Sequence, residues 1–99
     1  MAIQTHIDEP AQTIEGIAYD NDFGEMLDFF DDAAGFGYRE NAKGEYESAH
    51  VLLTYGPTIE LDTATGEIYC YFYSDTGEAR LSKTSTKNVN EFFRKLHDC

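Results

Sequence analysis

From Gly37 to Ser82 the apolar residues recur at every second position, and turn signals interrupt them at roughly ten-residue intervals. A chain written this way is suited to an antiparallel meander. Asn41-Ala42-Lys43-Gly44 separates two short extended segments. Ala49–Tyr55 is a strong strand, broken by Gly56-Pro57. Thr58–Asp62 then alternates, with Ile59 and Leu61 inward and Thr58, Glu60 and Asp62 outward. Pro57 has no amide donor and belongs at the start of that strand. Thr63-Ala64-Thr65-Gly66 turns the chain into Glu67–Tyr73, and Asp75-Thr76-Gly77 turns it again into Glu78–Ser82.

Helical spacing brackets this region. Phe23, Met26, Leu27 and Phe30 fall at i, i+3, i+4 and i+7, an apolar stripe spanning about 100° of arc. Asp20 or Asn21 is expected to cap that helix, which runs to about Ala34 before Gly35 and Gly37 end it. A last helix is expected from Thr86 to His97, capped by Thr86 or Asn88, with Val89, Phe92, Phe93 and Leu96 as its stripe. Residues before Asp20 are ambiguous. Pro10 suits the first turn of a short helix capped by Asp8 or Glu9 and burying Ile14, Ile17 and Ala18, while Thr13–Tyr19 also reads as a strand. The expected fold class is therefore α+β: an N-terminal helix or helices, an antiparallel three- to five-stranded meander sheet and a C-terminal helix, in a single domain over 1–99.

Charge is the second constraint. Nineteen acids against seven bases leave a formal charge of −12. Residues 1–50 hold twelve of the acids and only Arg39 and Lys43 as bases, whereas residues 51–99 are close to balanced. Like charge at that density destabilises a compact state and favours basic partners. Fourteen aromatics argue against a disordered acidic tail. The N-terminus lacks the basic and apolar regions of a secretory signal, and no run reaches the roughly 18–20 apolar residues of a membrane span. A cytoplasmic protein without membrane attachment is expected, with Cys70 and Cys99 as free thiols.

The densest acidic surface is the helix around Asp22–Asp32. Glu25, Asp28 and Asp32 make a ridge rising about 4.5 and then about 6 Å along the axis, comparable to phosphate spacing along a nucleic-acid strand. Asp22 and Asp31 flank it. Phe29 lies amid the acids, about 120° from the apolar stripe, and is expected to be an exposed interface anchor. A solvated helix face is the plain alternative. On the Glu67–Tyr73 strand, Tyr69, Tyr71 and Tyr73 face away from Ile68, Cys70 and Phe72, a ladder about 13–14 Å long. Such ladders stack bases in single-strand binders, but this one lacks a basic surround. Direct nucleic-acid binding is not expected; strand-stabilising aromatic pairs or a protein-binding surface are.

No catalytic motif is present: there is no phosphate loop, nucleophile elbow or His-Glu-x-x-His. His6, His50 and His97 have no zinc-like spacing, and His97-Asp98-Cys99 reads as a frayed tail. Asp20-Asn21-Asp22 opens like a calcium loop, but Glu25 and Asp31 occupy the positions that need glycine and glutamate. A non-enzymatic protein without cofactor or metal is expected.

Residues 46–61, YESAHVLLTYGPTIEL, and the following turn DTATGEIY resemble a core found in small proteins of phages and mobile elements. The chain departs from it in having one glycine before Pro57 and a tyrosine where the later strand has tryptophan. The resemblance implies a phage or mobile-element origin, where small acidic proteins resemble counter-defence inhibitors: anti-CRISPR proteins or restriction inhibitors that mimic DNA. The implied partner is a basic nucleic-acid-binding protein, a CRISPR effector or restriction enzyme, met by a monomer or dimer. The competing expectation is an interaction or structural module whose acidity serves only solubility.

Overall fold

A computed structural model describes residues 3–99, with side chains from residue 7 onward. The chain is α+β. Helices α1 (Ile3–Asp20) and α2 (Phe23–Asp31) precede strands β1 (Gly35–Glu40), β2 (Tyr46–Tyr55), β3 (Thr58–Asp62), β4 (Glu67–Phe72) and β5 (Asp75–Arg80), and α3 (Lys83–His97) closes it. The five strands form one antiparallel sheet in the order β1-β2-β3-β4-β5, a meander.

α1 settles the N-terminal ambiguity in favour of helix and starts well before Pro10, which sits inside it. The strand alternative fails because Ile7, Ile14 and Ala18, four or seven residues apart, are all fully buried on one side. Asn21 ends α1 rather than starting α2: it takes a left-handed φ of 56°, and its N–H donates to the Ala18 carbonyl at 3.0 Å. Asp22 is the cap of α2, accepting from the Glu25 amide at 3.1 Å. α2 stops at Asp31, short of Ala34, and Gly35 and Gly37 belong to edge strand β1. The cap of α3 is Ser82, earlier than Thr86 or Asn88, with its hydroxyl accepting from the Ser85 amide at 3.1 Å.

All three helices lie on one face of the sheet, α1 over β4 and β5 and α3 over β2, with α2 against both helices. Val51, Ile59, Leu61, Ile68 and Cys70 meet Ile14, Met26, Phe30, Val89, Phe92 and Phe93 in the core between the layers. A polar knot lies under this core. Thr63 Oγ1 accepts from the Ala49 amide at 2.8 Å and donates to Asn90 Oδ1 at 2.7 Å, and the Tyr46 hydroxyl donates to the same Asn90 oxygen at 2.7 Å. Buried polar groups demand partners, so this knot fixes the β3–β4 turn against α3.

Candidate interaction surfaces

α2 presents the acids together. Asp22, Glu25, Asp28, Asp31 and Asp32 are all exposed, and none forms an ion pair with a described residue. Asp22 is partly engaged as the helix cap. Glu25 stands in the first turn, where the helix dipole favours an acid, whereas the other three conflict with their own helix. Asp28, Asp31 and Asp32 are neighbours at i, i+3 and i+4, and they crowd the C-terminal end, where the helix dipole is negative. No base occupies that last turn.

Phe29 is not the exposed anchor that its sequence position suggests. It is half-buried, packs on the core and meets the Phe30 ring edge-on at 5.2 Å. Met26 and Phe30 of the anticipated stripe are buried, and Phe29, with Ala33 just beyond the helix, packs partly against the core, so the core-facing arc is rotated by about 60°. Phe23, whose ring still meets Phe92 at 5.0 Å, and Leu27 are partly exposed. The rotation is set by the tertiary packing, because α2 lies against both α1 and α3. Phe29 there becomes one wall of an apolar groove of about 410 Å³, with Pro10, Leu53, Pro57 and Ile59 as other walls and Asp32 at its border.

The tyrosine face of the sheet is uncovered, since the helices occupy the opposite face. Cross-strand register builds rows on it. Leu52, Glu60, Tyr69 and Glu78 form one row, Tyr55, Thr58, Tyr71 and Thr76 the next. Tyr69 and Tyr71 stack at 6.5 Å with their planes 22° apart. The ladder has two rungs, not three. Tyr73 leaves the strand at the hairpin loop, where it has a φ of 58°, is 93% exposed and rests edge-on against Phe72 at 4.7 Å. The turn is at Tyr73-Ser74 rather than Asp75–Gly77, because Phe72 pairs with Asp75 and leaves a two-residue loop that demands positive φ at its first position. Tyr55 is 72% exposed at the neighbouring hairpin.

Carboxylates surround these rings. The Tyr69 hydroxyl donates to Glu67, and that hydrogen bond, with burial and the charges of Glu67 and Glu78, pushes its pKa up to about 12. Glu67 is held below its ordinary value, chiefly by the same bond. His50 meets Glu60 at 3.6 Å and Arg80 meets Glu67 at 3.3 Å. The face is thus aromatic, hydrogen-bonding and predominantly acidic, chemistry that suits guanidinium and ammonium groups.

His97 is tied down rather than frayed. Its ring contacts Glu40 Oε2 at 2.6 Å and Asp98 Oδ1 at 3.0 Å, and it stands edge-on to Tyr38 at 4.9 Å. Cys70 is buried and Cys99 exposed, both as free thiols. Among the described residues no three His, Cys, Asp or Glu side chains are grouped to hold a metal; the His6 side chain lies outside them. None of the described helices is long and apolar enough to cross a membrane.

The sequence reading missed Glu15, which accepts from Ser82 and Ser85 across the α1–α3 junction, and the Thr63–Asn90 knot. The pairing of Ser82 with Ser85 at i, i+3 before a helix was the available signal for the first. Nothing local marks the second. No family model, curated protein or solved structure matches the chain.

Proposed function

We propose that this protein is a non-enzymatic inhibitor that occupies the basic nucleic-acid-binding surface of another protein and so excludes DNA or RNA. The observation that carries this reading is the concentration of Asp28, Asp31 and Asp32 at the C-terminal end of α2, where acids cost stability, continued by Glu25 in its first turn, all exposed and without a base partner among the described residues. Local choices that contradict the fold's own energetics are expected where function demands them. Glu25, Asp28 and Asp32 supply a carboxylate row, and a partner side chain reaching the adjoining groove meets Phe29 there. Tyr69 and Tyr71, with Tyr73 at the loop, extend the contact across a second acidic surface. A phage-encoded, anti-CRISPR-like inhibitor acting in the host cytoplasm on a CRISPR effector or restriction enzyme fits this chemistry and the resemblance of residues 46–69.

A second reading, an interaction module without nucleic-acid mimicry, is favoured by the exposed Tyr55 and Tyr73 at adjacent hairpins. Salt separates the two. Affinity of a mimic for its effector falls steeply between about 50 and about 300 mM salt, and nucleic acid competes for the same surface. The test is capture of purified CRISPR effectors and restriction enzymes by the wild-type chain and by Asp28→Lys/Asp32→Lys. Loss of capture in the variant and displacement by DNA or guide RNA support mimicry. Salt-insensitive binding that leaves nucleic-acid loading intact overturns it.

A further inference from the structure

The groove beside α2 combines an apolar interior with an acidic border. Phe29, Pro10 and Pro57 line it as half-buried side chains, and Leu53 and Ile59, nearly buried, complete its lining. Its volume of about 410 Å³ lies in the range of ligand pockets. Apolar surface left in contact with water is a standing cost that an apolar occupant removes. The groove is also held in shape. Thr54 Oγ1 donates to the Pro57 carbonyl at 2.5 Å and Thr58 Oγ1 to the Tyr55 carbonyl at 2.8 Å, which fixes the β2–β3 hairpin before anything binds.

The charge around it has one sign. Asp32 lines the groove itself. At about 100° per residue, Glu25 and Asp32 lie about 40° and about 60° to one side of Phe29, and Asp28 about 100° to the same side. Met26 and Phe30, which enter the core, lie to the other side. None of the three acids has an ion-pair partner among the described residues, and no Lys, Arg or His belongs to the groove lining.

This combination selects its occupant. A fatty acid or another anionic amphiphile is repelled at the border, and nucleic acid is repelled likewise. A purely polar cation leaves the interior wet. We infer that the groove receives a cationic, apolar peptide segment of the partner protein. One aliphatic side chain enters between Phe29 and Pro57, and the Lys or Arg residues beside it meet Asp32, Asp28 and Glu25. The inference rests on the reading of the partner as a basic protein and adds an anchor that nucleic acid does not have. Basic surfaces with an apolar residue among their cations are then bound in preference to purely cationic ones.

The test is titration of blocked pentapeptides into isotope-labelled protein at about 150 mM salt, followed by amide chemical shifts. The probes are Lys-Arg-Leu-Arg-Lys, Lys-Arg-Ser-Arg-Lys and Glu-Asp-Leu-Asp-Glu. The first should give saturable shifts at residues 29–33 and 53–59 and bind about tenfold tighter than the second, while the third should not bind. Asp32→Asn should weaken the first about threefold, and Glu47→Gln, an equal loss of charge at the far end of β2, should leave it unchanged. Ala33→Leu, which fills the groove from the α2 side, should abolish the preference for leucine over serine. Thermal melts confirm that these variants fold, and the comparison of peptides on the wild-type chain needs no variant. Equal affinity for the first two peptides overturns the groove assignment and leaves nucleic-acid mimicry standing. Absence of saturable binding, or shifts centred on Tyr69 and Tyr71, overturns it too. Groove shifts that depend on protein concentration without peptide would seat a second copy there instead. Conversely, leucine-selective binding here, with effectors that keep their nucleic acid, would sink the mimicry reading alone.

Discussion

Glu15 of α1 and Ser85 of α3, seventy residues apart, are joined twice: the Ser85 hydroxyl meets both the carboxylate and the backbone carbonyl of Glu15, the latter at 3.2 Å. The same carboxylate accepts from the Ser82 amide at 2.7 Å and the Ser82 hydroxyl at 2.9 Å. Glu15 thereby does for α3 what acids in a first turn usually do, from another helix. Burial opposes its ionisation, but the bonds from Ser82 and Ser85 outweigh that and hold its carboxyl below the ordinary 4.5.

Glu15→Gln is therefore expected to destabilise the fold by about 1–2 kcal/mol, a drop of about 5–10 °C in Tm. A depressed carboxyl contributes its stability above the unfolded-state value and loses it as pH falls through the folded one. The gap between wild type and variant should be full at neutral pH and close as pH drops below 4.5, which thermal unfolding at a series of pH values will check.

Gly66 and Thr86 form a second long-range constraint. A Cβ on Gly66 would stand 2.0 Å from Thr86 Oγ1, at a backbone φ of +77°. Gly66→Ala should cost about 2–4 kcal/mol, combining overlap with left-handed strain. Adding Thr86→Ala should recover the overlap part and leave about 1 kcal/mol for the backbone. Denaturant unfolding of the four proteins in that cycle measures the coupling; additive effects would show that the contact is not the cause.

Tyr73 holds a positive φ without being glycine. Tyr73→Gly is expected to raise stability by about 0.5–1 kcal/mol in denaturant melts, since the hairpin loop prefers glycine there. A partner that uses this exposed ring would be bound more weakly by the same variant.

The C-terminal acids of α2 should behave in the same direction. Asp31→Lys removes repulsion with Asp28 and places a cation at the negative end of the helix, so a gain of about 0.5 kcal/mol is expected. That gain should shrink as salt is raised, as followed by Tm against ionic strength.

His97 should titrate above 6.5, because Asp98 and then Glu40 hold its protonated form. Its stabilising contribution is full below the unfolded-state value and disappears as pH rises through the folded one. Imidazole NMR shifts should show Glu40→Gln lowering that pKa.

Much of the architecture was legible before any coordinates. The alternation in Thr58–Asp62 gave that strand to the residue, because period-two burial and a flanking Gly-Pro leave little freedom. The α3 stripe of Val89, Phe92 and Phe93 was equally explicit, and those residues are buried. α2 was legible as a helix but not in its rotation, since a nine-residue helix with apolar residues on three sides can lean either way. Phe29 was misplaced for that reason. Tyr73 was misplaced because the strand-like run EIYCYFY carries no mark of where its loop begins. The acidic ridge was visible as composition, whereas the Thr63–Asn90 knot was not, because those side chains meet only once the β3–β4 turn is placed beside α3.

The sequence by itself determined the α+β class, the meander and the acid-rich face of α2, since periodicity, turn chemistry and local charge act over a few residues. Only the tertiary structure decided which side of α2 is buried and which sheet face stays open. It also decided that Glu15 caps a helix seventy residues away, and that Thr63 and Asn90 meet beside the β3–β4 turn. Those outcomes depend on packing between elements, and long-range packing is settled by the shapes and polar demands of partners that no local pattern names.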